Sequence, residues 1–349
     1  MFEYFYKKLT TGFGLHRWLK SRHIELISLS GPFHVFKLLN SLFPFSLNYC
    51  NYPKSEYNSL RVLSKICNSV IVIFLCIICF SIIGSGLSSA ATVYVDTDGS
   101  GNYNCDGTND HIEINKALTY IDSMGGGIVY LRGPNTYWID STLNIGAGTT
   151  LTGDSTAEIK LVPNAGWSAN VPLIANMDTD DDITIKGFTI DGNSQSQSGI
   201  SLGNSYYILM YFDGAQNIEV SDMRLEWGCS DGLKIRNSKG ITFSDNDVYK
   251  MGHDALYAIS CSDMEVSRNT VFTRTNGACR LSTGAQDADI FDNTFYSAFT
   301  GDSTGPAIEL DKTSATGTNV FDDIEIYNNK IHTLNGAAIW MSASYADNT

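Results

Sequence analysis

Basic residues are scarce over most of this chain. The 349 residues hold 23 Lys and Arg against 37 Asp and Glu, a formal charge of -14. Residues 1–68 take nine of the basic residues and three of the acids (Glu3, Glu25 and Glu56), so the remainder carries -20. That sign excludes a nucleic-acid partner, because phosphate binding needs clustered Lys and Arg. It suits a soluble surface protein, or one that binds cations or neutral glycans. Metal and phosphate signatures are missing as well. Of eight cysteines, Cys105, Cys229, Cys261 and Cys279 follow residue 90, and none forms a CxxC pair. These four could close two disulfides outside the cell, although Cys279 sits where an inward strand residue belongs and reads equally as a buried thiol. Gly125–Gly127 lacks the Lys-Ser/Thr of a phosphate loop. The acidic run 178–182 lacks EF-hand spacing; it offers oxygen ligands for Ca²⁺, against a solvated turn, which is the favoured reading. No other metal site is expected.

One long hydrophobic run stands out. Val70–Ile83 is apolar, Arg61 and Lys65 precede it, and Ser88 and Ala90 follow as a small-x-small pattern. Basic, apolar and small, in that order, is a signal peptide. Uncleaved, the segment through Leu87 nearly spans a bilayer, with the body outside. The division is therefore a basic extension of uncertain status (1–68), a signal peptide or anchor (69–90) and a body (91–349). The expected location is secreted or at the cell surface.

The body repeats. Segments beginning at Ile183, Ile218, Ile241, Met264, Ala288 and Ile324 alternate apolar residues, turn, and alternate again. The inner starts are 23, 23 and 24 residues apart, and the outer intervals are 35 and 36. No stretch of helical period separates the units, so crossover helices cannot join parallel strands. A solenoid of stacked coils, about 4.8 Å apart, solves the pattern. Asn246, Asn269, Asn293 and Asn329 fall at one offset, the bend between strands. Asn tolerates a left-handed bend, and its amide can bond the next coil. A third strand per coil is expected to turn Leu233, Leu256, Cys279, Ile308 and Ala338 inward, with Ile235, Ala258, Leu281, Leu310 and Trp340. At the start, Thr108–Asp110 caps a helical stripe of Ile112, Ile114, Ala117, Leu118 and Ile121, ended by Gly125–Gly127. Such a helix shields the open end of a solenoid. No matching element closes the other end after residue 343, so the reading is of a solenoid that is truncated or continues. The fold class is all-β: a right-handed parallel β-helix with an N-terminal capping helix.

Val93–Asp96, Cys105–Asp110, Ile114–Leu118, Gly125–Leu131 and Leu151–Asp154 resemble the N-terminal region of the pectate-lyase-like β-helix superfamily. More narrowly, they look like the disaggregatase-related surface proteins of methane-producing archaea. The resemblance covers 91–349. It implies the fold and a polysaccharide partner, but no single reaction, because this fold hosts many.

Chemistry is expected on the outward positions of the third strand. Lys234, Tyr257, Arg280 and Glu309 form one ladder, and Ser230, Asp231, His253, Asp254, Asn276 and Gly277 a second in the preceding turn. Segments 193–216 and 299–305 would wall a groove, with Tyr206, Tyr207, Tyr211 and Phe212 stacking on sugars. Glycoside hydrolysis needs two carboxyl groups, and Asp231 with Asp254 is the natural pair. His253 would tune their protonation. A uronate lyase would need a cation, Lys234 or Arg280, and a base, His253, Tyr257 or Lys234. The strip partly resembles the polygalacturonase-like hydrolases at Asp231 and Asp254, but lacks their Gly-His-Gly and Arg-x-Lys elements. The expectation is catalysis by Asp231, His253, Asp254 and Arg280, with Lys234, Tyr257 and Glu309 binding an acidic, uronate-containing polysaccharide. The competing readings are a glycan-binding surface module without catalysis, a structural stalk, and a solvated charged face in which Arg280 and Glu309 pair.

Overall fold

In a computed structural model, residues 90–178, 181–199, 206–273, 277–297, 305–311, 321–333 and 336–341 are described. Residues 1–89, Asn276, most of 299–305 and the closing 342–349 lie outside them, and with them the expectations placed there. Among the described residues no helix is long and apolar enough to cross a membrane.

Each coil contributes one strand to each of three parallel sheets. The first sheet has ten strands and the other two have eight each. Within the first, Ile183, Ile218, Ile241, Met264, Ala288 and Ile324 are direct register partners. The repeat read from the sequence is therefore the coil. Parallel pairing in register lets every inward residue land on its equivalent one coil away. Ile218, Val220, Leu225, Leu233 and Ile235 illustrate the resulting continuous apolar column, each at most 1% exposed. Burial at this density supplies the main stabilising term.

The asparagine column forms a hydrogen-bonded ladder. Asn246 Nδ2 donates to Asn269 Oδ1 (3.0 Å), Asn269 Nδ2 to Asn293 Oδ1 (3.0 Å) and Asn293 Nδ2 to Asn329 Oδ1 (2.9 Å). The left-handed conformation, however, belongs to the residue before each: Asp245, Arg268, Asp292 and Asn328, with φ between 56° and 57°. That residue makes the bend and points to solvent. The bend then turns the asparagine inward, where its amide has no water and must find protein partners.

Third-strand register follows expectation until the last coil. Leu233, Leu256, Cys279 and Ile308 align, as do Ile235, Ala258, Leu281 and Leu310. The next partners are Ile339 and Met341, not Ala338 and Trp340. Trp340 aligns with Glu309 and is 47% exposed. A slip of one residue reverses every side chain of a strand, and small Ala338 gave no signal to set the phase.

Helix α1, His111–Ser123, buries Ile114, Ala117, Leu118 and Ile121 and packs against the first coils. Ile112 is exposed instead. Asp110 precedes the helix but caps nothing with its side chain. Its carboxylate accepts from the Gly107 and Trp138 backbone N–H groups, tying the loop to the first coil. Cys105, Cys229, Cys261 and Cys279 are all buried and form no disulfide with one another, so the two-disulfide expectation fails. Cys279, for one, stacks between Leu256 and Ile308, so its column neighbours are aliphatic and not a second thiol.

Candidate active site

Asp231, His253 and Asp254 stand in consecutive turns just before third-sheet strands Leu233–Arg236 and Leu256–Ile259. Stacked turns bring residues 23 apart into contact. His253 Nδ1 lies 2.8 Å from Asp231 Oδ1 and 3.0 Å from Asp254 Oδ2. The Asp254 backbone N–H also donates to Asp231 Oδ1 (3.2 Å), and the Gly277 N–H to Asp254 Oδ1 (3.0 Å). Gly277 is required here, since a side chain would press on the Pro306 carbonyl in the turn above.

The sequence expected this pair in an open groove. Both carboxylates are instead fully buried, and His253, with its side chain 12% exposed, is the member that reaches solvent. Asp231 Oδ2 and Ser230 Oγ are buried with no hydrogen bond, and Asp254 Oδ2 shares the His253 Nδ1 position with Asp231 Oδ1. Burial raises the Asp254 pKa above the ordinary carboxylate range, partly offset by His253. Burial opposes the imidazolium, but the Asp254 and Asp231 carboxylates outweigh it and push His253 up to about 10. The cluster therefore holds a proton at neutral pH.

The outward ladder continues the site. Lys234, Tyr257, Arg280 and Glu309 are successive register partners, as expected. Tyr257 and Glu309 are each 5% exposed, so this is no solvated face. Burial pushes Glu309 up to about 7, against the pull of Arg280. Arg280 reaches Asp311, a residue the sequence reading missed: its Nε donates to Asp311 Oδ1 (3.2 Å) and its Nη2 to Asp311 Oδ2. Ser282 Oγ donates to the same Oδ1 (2.6 Å). The guanidinium lies 4.5 Å over the Tyr257 ring, with Nη1 3.9 Å from Asp254 Oδ2 and Nε 3.7 Å from Glu309 Oε2. Alternation would have found Asp311, since it sits two residues beyond Glu309 on the same strand. Lys234 stands apart, its Nζ 3.4 Å from Asn170 Oδ1 and 5.4 Å from the Tyr257 ring centre.

Other expectations fail locally. Tyr207 and Phe212 are core residues and form no sugar platform, while Tyr211 is half-buried and donates to Asp213. In the acidic run, Asp181 accepts from the Gln216 backbone and Asp182 from Asn217. These are turn contacts. Two other groups bring metal-ligating atoms within 4.8 Å of one another: Asp231, His253 and Asp254, and Glu158, Asp191 and Glu226. Both are geometrically compatible with a cation. The second already holds its counter-charges, with Lys160 Nζ 2.5 Å from Asp191 and Arg224 Nε 2.8 Å from Glu226.

Comparison with known proteins agrees with this architecture. Residues 208–349 match the family described as a right handed beta helix region. A family 28 exopolygalacturonase of Yersinia enterocolitica superposes with a TM-score of 0.53 at 15% identity, covering 74% of this chain and 62% of that one. A hyperthermoactive exopolygalacturonase of Thermotoga maritima gives 0.47 at 12% identity, covering 73% and 78%. An endo-xylogalacturonan hydrolase of Aspergillus tubingensis gives 0.43 at 15%, covering 74% and 79%. No curated protein matches. The chain is thus a right-handed parallel β-helix of the architecture seen in carbohydrate-active enzymes. No link to disaggregatase-related proteins emerges.

Proposed function

We propose that this chain is an extracellular enzyme that cleaves a cell-envelope polysaccharide by hydrolysis at the Asp231–His253–Asp254 cluster. One observation carries the reading: a single imidazole is held between two fully buried carboxylates, its Nδ1 2.8 Å from Asp231 and 3.0 Å from Asp254. Burying two carboxylates around one histidine costs stability, and such clusters gather at functional sites. The proton that the cluster holds reaches substrate through His253, its solvent-facing member. It passes to the oxygen of the departing sugar as the glycosidic bond breaks. Glu309, ionised over part of the neutral range, takes a proton from the water that attacks the anomeric carbon. That proton returns to His253 through solvent and closes the cycle. Arg280 positions Glu309 and Asp254 through its charge. Lys234 and Tyr257 bind neighbouring sugars, and the apolar run at 69–90 supplies export or anchoring.

Lyase chemistry fits less well. It needs a cation to neutralise a substrate carboxylate beside the base; Arg280 is already engaged by Asp311, and Lys234 stands two strands away from Arg280. A second reading, glycan binding without catalysis, is favoured by the complete burial of Asp231 and Asp254. The purified full chain should be incubated with acidic and neutral polysaccharides, following reducing ends and the absorbance of unsaturated sugars. Reducing ends alone support hydrolysis. Absorbance as well means a lyase, and binding without release leaves the second reading.

A further inference from the structure

We infer that the sugar unit seated at the Asp231–His253–Asp254 cluster is electrically neutral, a hydroxyl-rich hexose or amino sugar rather than a uronate. The inference rests on the reading of the strip as a polysaccharide site, and reverses the uronate expectation drawn from the sequence.

Charge at the site decides it. Four acids (Asp231, Asp254, Glu309, Asp311) surround two cations (His253, Arg280). A carboxylate is recognised by two parallel N–H donors of one guanidinium. In Arg280 both donors of one edge are spent on Asp311, Nη1 turns to Asp254, and Tyr257 covers a face. His253 Nδ1 is taken by its two carboxylates. Among the described residues of the strip, Lys234 is the cation without a carboxylate partner. Its place in the register is two strands from Arg280, about 10 Å away. A charged group on the polymer would meet Lys234 there, not at the cluster.

The hydrogen-bonding balance points the same way. The acceptor left open in the ladder is Glu309, whose Oε2 lies 3.7 Å from Arg280 Nε, beyond hydrogen-bond range, while Asp231 and Asp254 are buried beneath His253. Sugar hydroxyls are donors, and carboxylates are not. The -20 of the body adds repulsion of any polyanion at longer range.

The test uses matched polymers. Polygalacturonate, chondroitin and hyaluronan are each compared with their carboxyl-reduced forms, which share the linkages and lack the charge. Binding to the full chain is measured by affinity electrophoresis beside reducing-end release. The neutral member of at least one pair should bind about ten-fold tighter than its parent. Asp311→Asn should free the guanidinium and tighten binding of the acidic members about five-fold, narrowing the gap. Glu309→Gln, which removes a charge without touching the Asp311 fork, should move it the same way. Melting temperatures of both variants show that they fold. Tighter binding of the acidic members by the wild type, lost in Arg280→Gln, would overturn the inference and leave polysaccharide cleavage standing. Binding of no polymer in either set overturns both.

Discussion

His253 Nδ1 lies 2.8 Å from Asp231 Oδ1, a contact between residues 22 apart that only the stacking of two turns creates. Asp231→Asn should remove one of the two charges that hold the imidazole proton. The expected result is a fall of about 10²-fold or more in kcat, the scale of general acid–base catalysis. His253→Gln and Glu309→Gln should do the same, and circular dichroism should show each folded. Loss of turnover with unchanged affinity for the neutral polymer is the diagnostic outcome.

Stability should decline in two steps as pH rises. Glu309 is raised in the folded chain, to about 7, so the native state binds more protons than the unfolded one between about 4.5 and 7. Stability therefore falls with pH across that window. His253, raised to about 10, contributes stability that is complete below about 6.5 and lost as pH climbs through about 10. Urea unfolding measured from pH 4 to 10 should show both declines. Glu309→Gln should flatten the first and spare the second.

Activity should be bell-shaped for the same reason. It rises as Glu309 ionises through about 7, and falls as the His253 proton is lost near 10. Initial rates across pH check this, and a rate independent of pH between 5 and 8 would remove Glu309 as the base.

Asn269→Ala should cost about 2–4 kcal/mol, because several buried partners lose their bonds together. Asn269 donates to Asn293 and to the Phe243 carbonyl, and accepts from Asn246. Asn329, half-buried at the end of the ladder, should cost less when replaced by Ala. Equilibrium unfolding of the two variants gives the comparison.

Cys105, Cys229, Cys261 and Cys279 should resist a thiol reagent in the folded chain and react on unfolding. Burial raises the Cys261 thiol to about 11 and lifts Cys105 and Cys279 further. Rapid native labelling at these four positions, mapped by peptide mass, would contradict their burial.

The coil was legible in the sequence because its causes are local and periodic. Alternation sets which residues face inward, and 23-residue spacing of Ile218, Ile241 and Met264 sets the stack. The asparagine column was legible for the same reason, although not its backbone: the left-handed residue is the one before. Periodicity failed where its signal ran out, at Ala338 and Trp340. The candidate site was half legible. Spacing placed Asp231, His253, Asp254, Lys234, Tyr257, Arg280 and Glu309 along one strip. Burial and partner choice were not legible, because they depend on where side chains end rather than where strands run. Only the tertiary structure decided that Asp231 and Asp254 lie beneath His253, and that Asp311 claims Arg280. Charges assigned one per coil say little about chemistry until the packing fixes which of them are already paired, as Asp311 pairs Arg280 here.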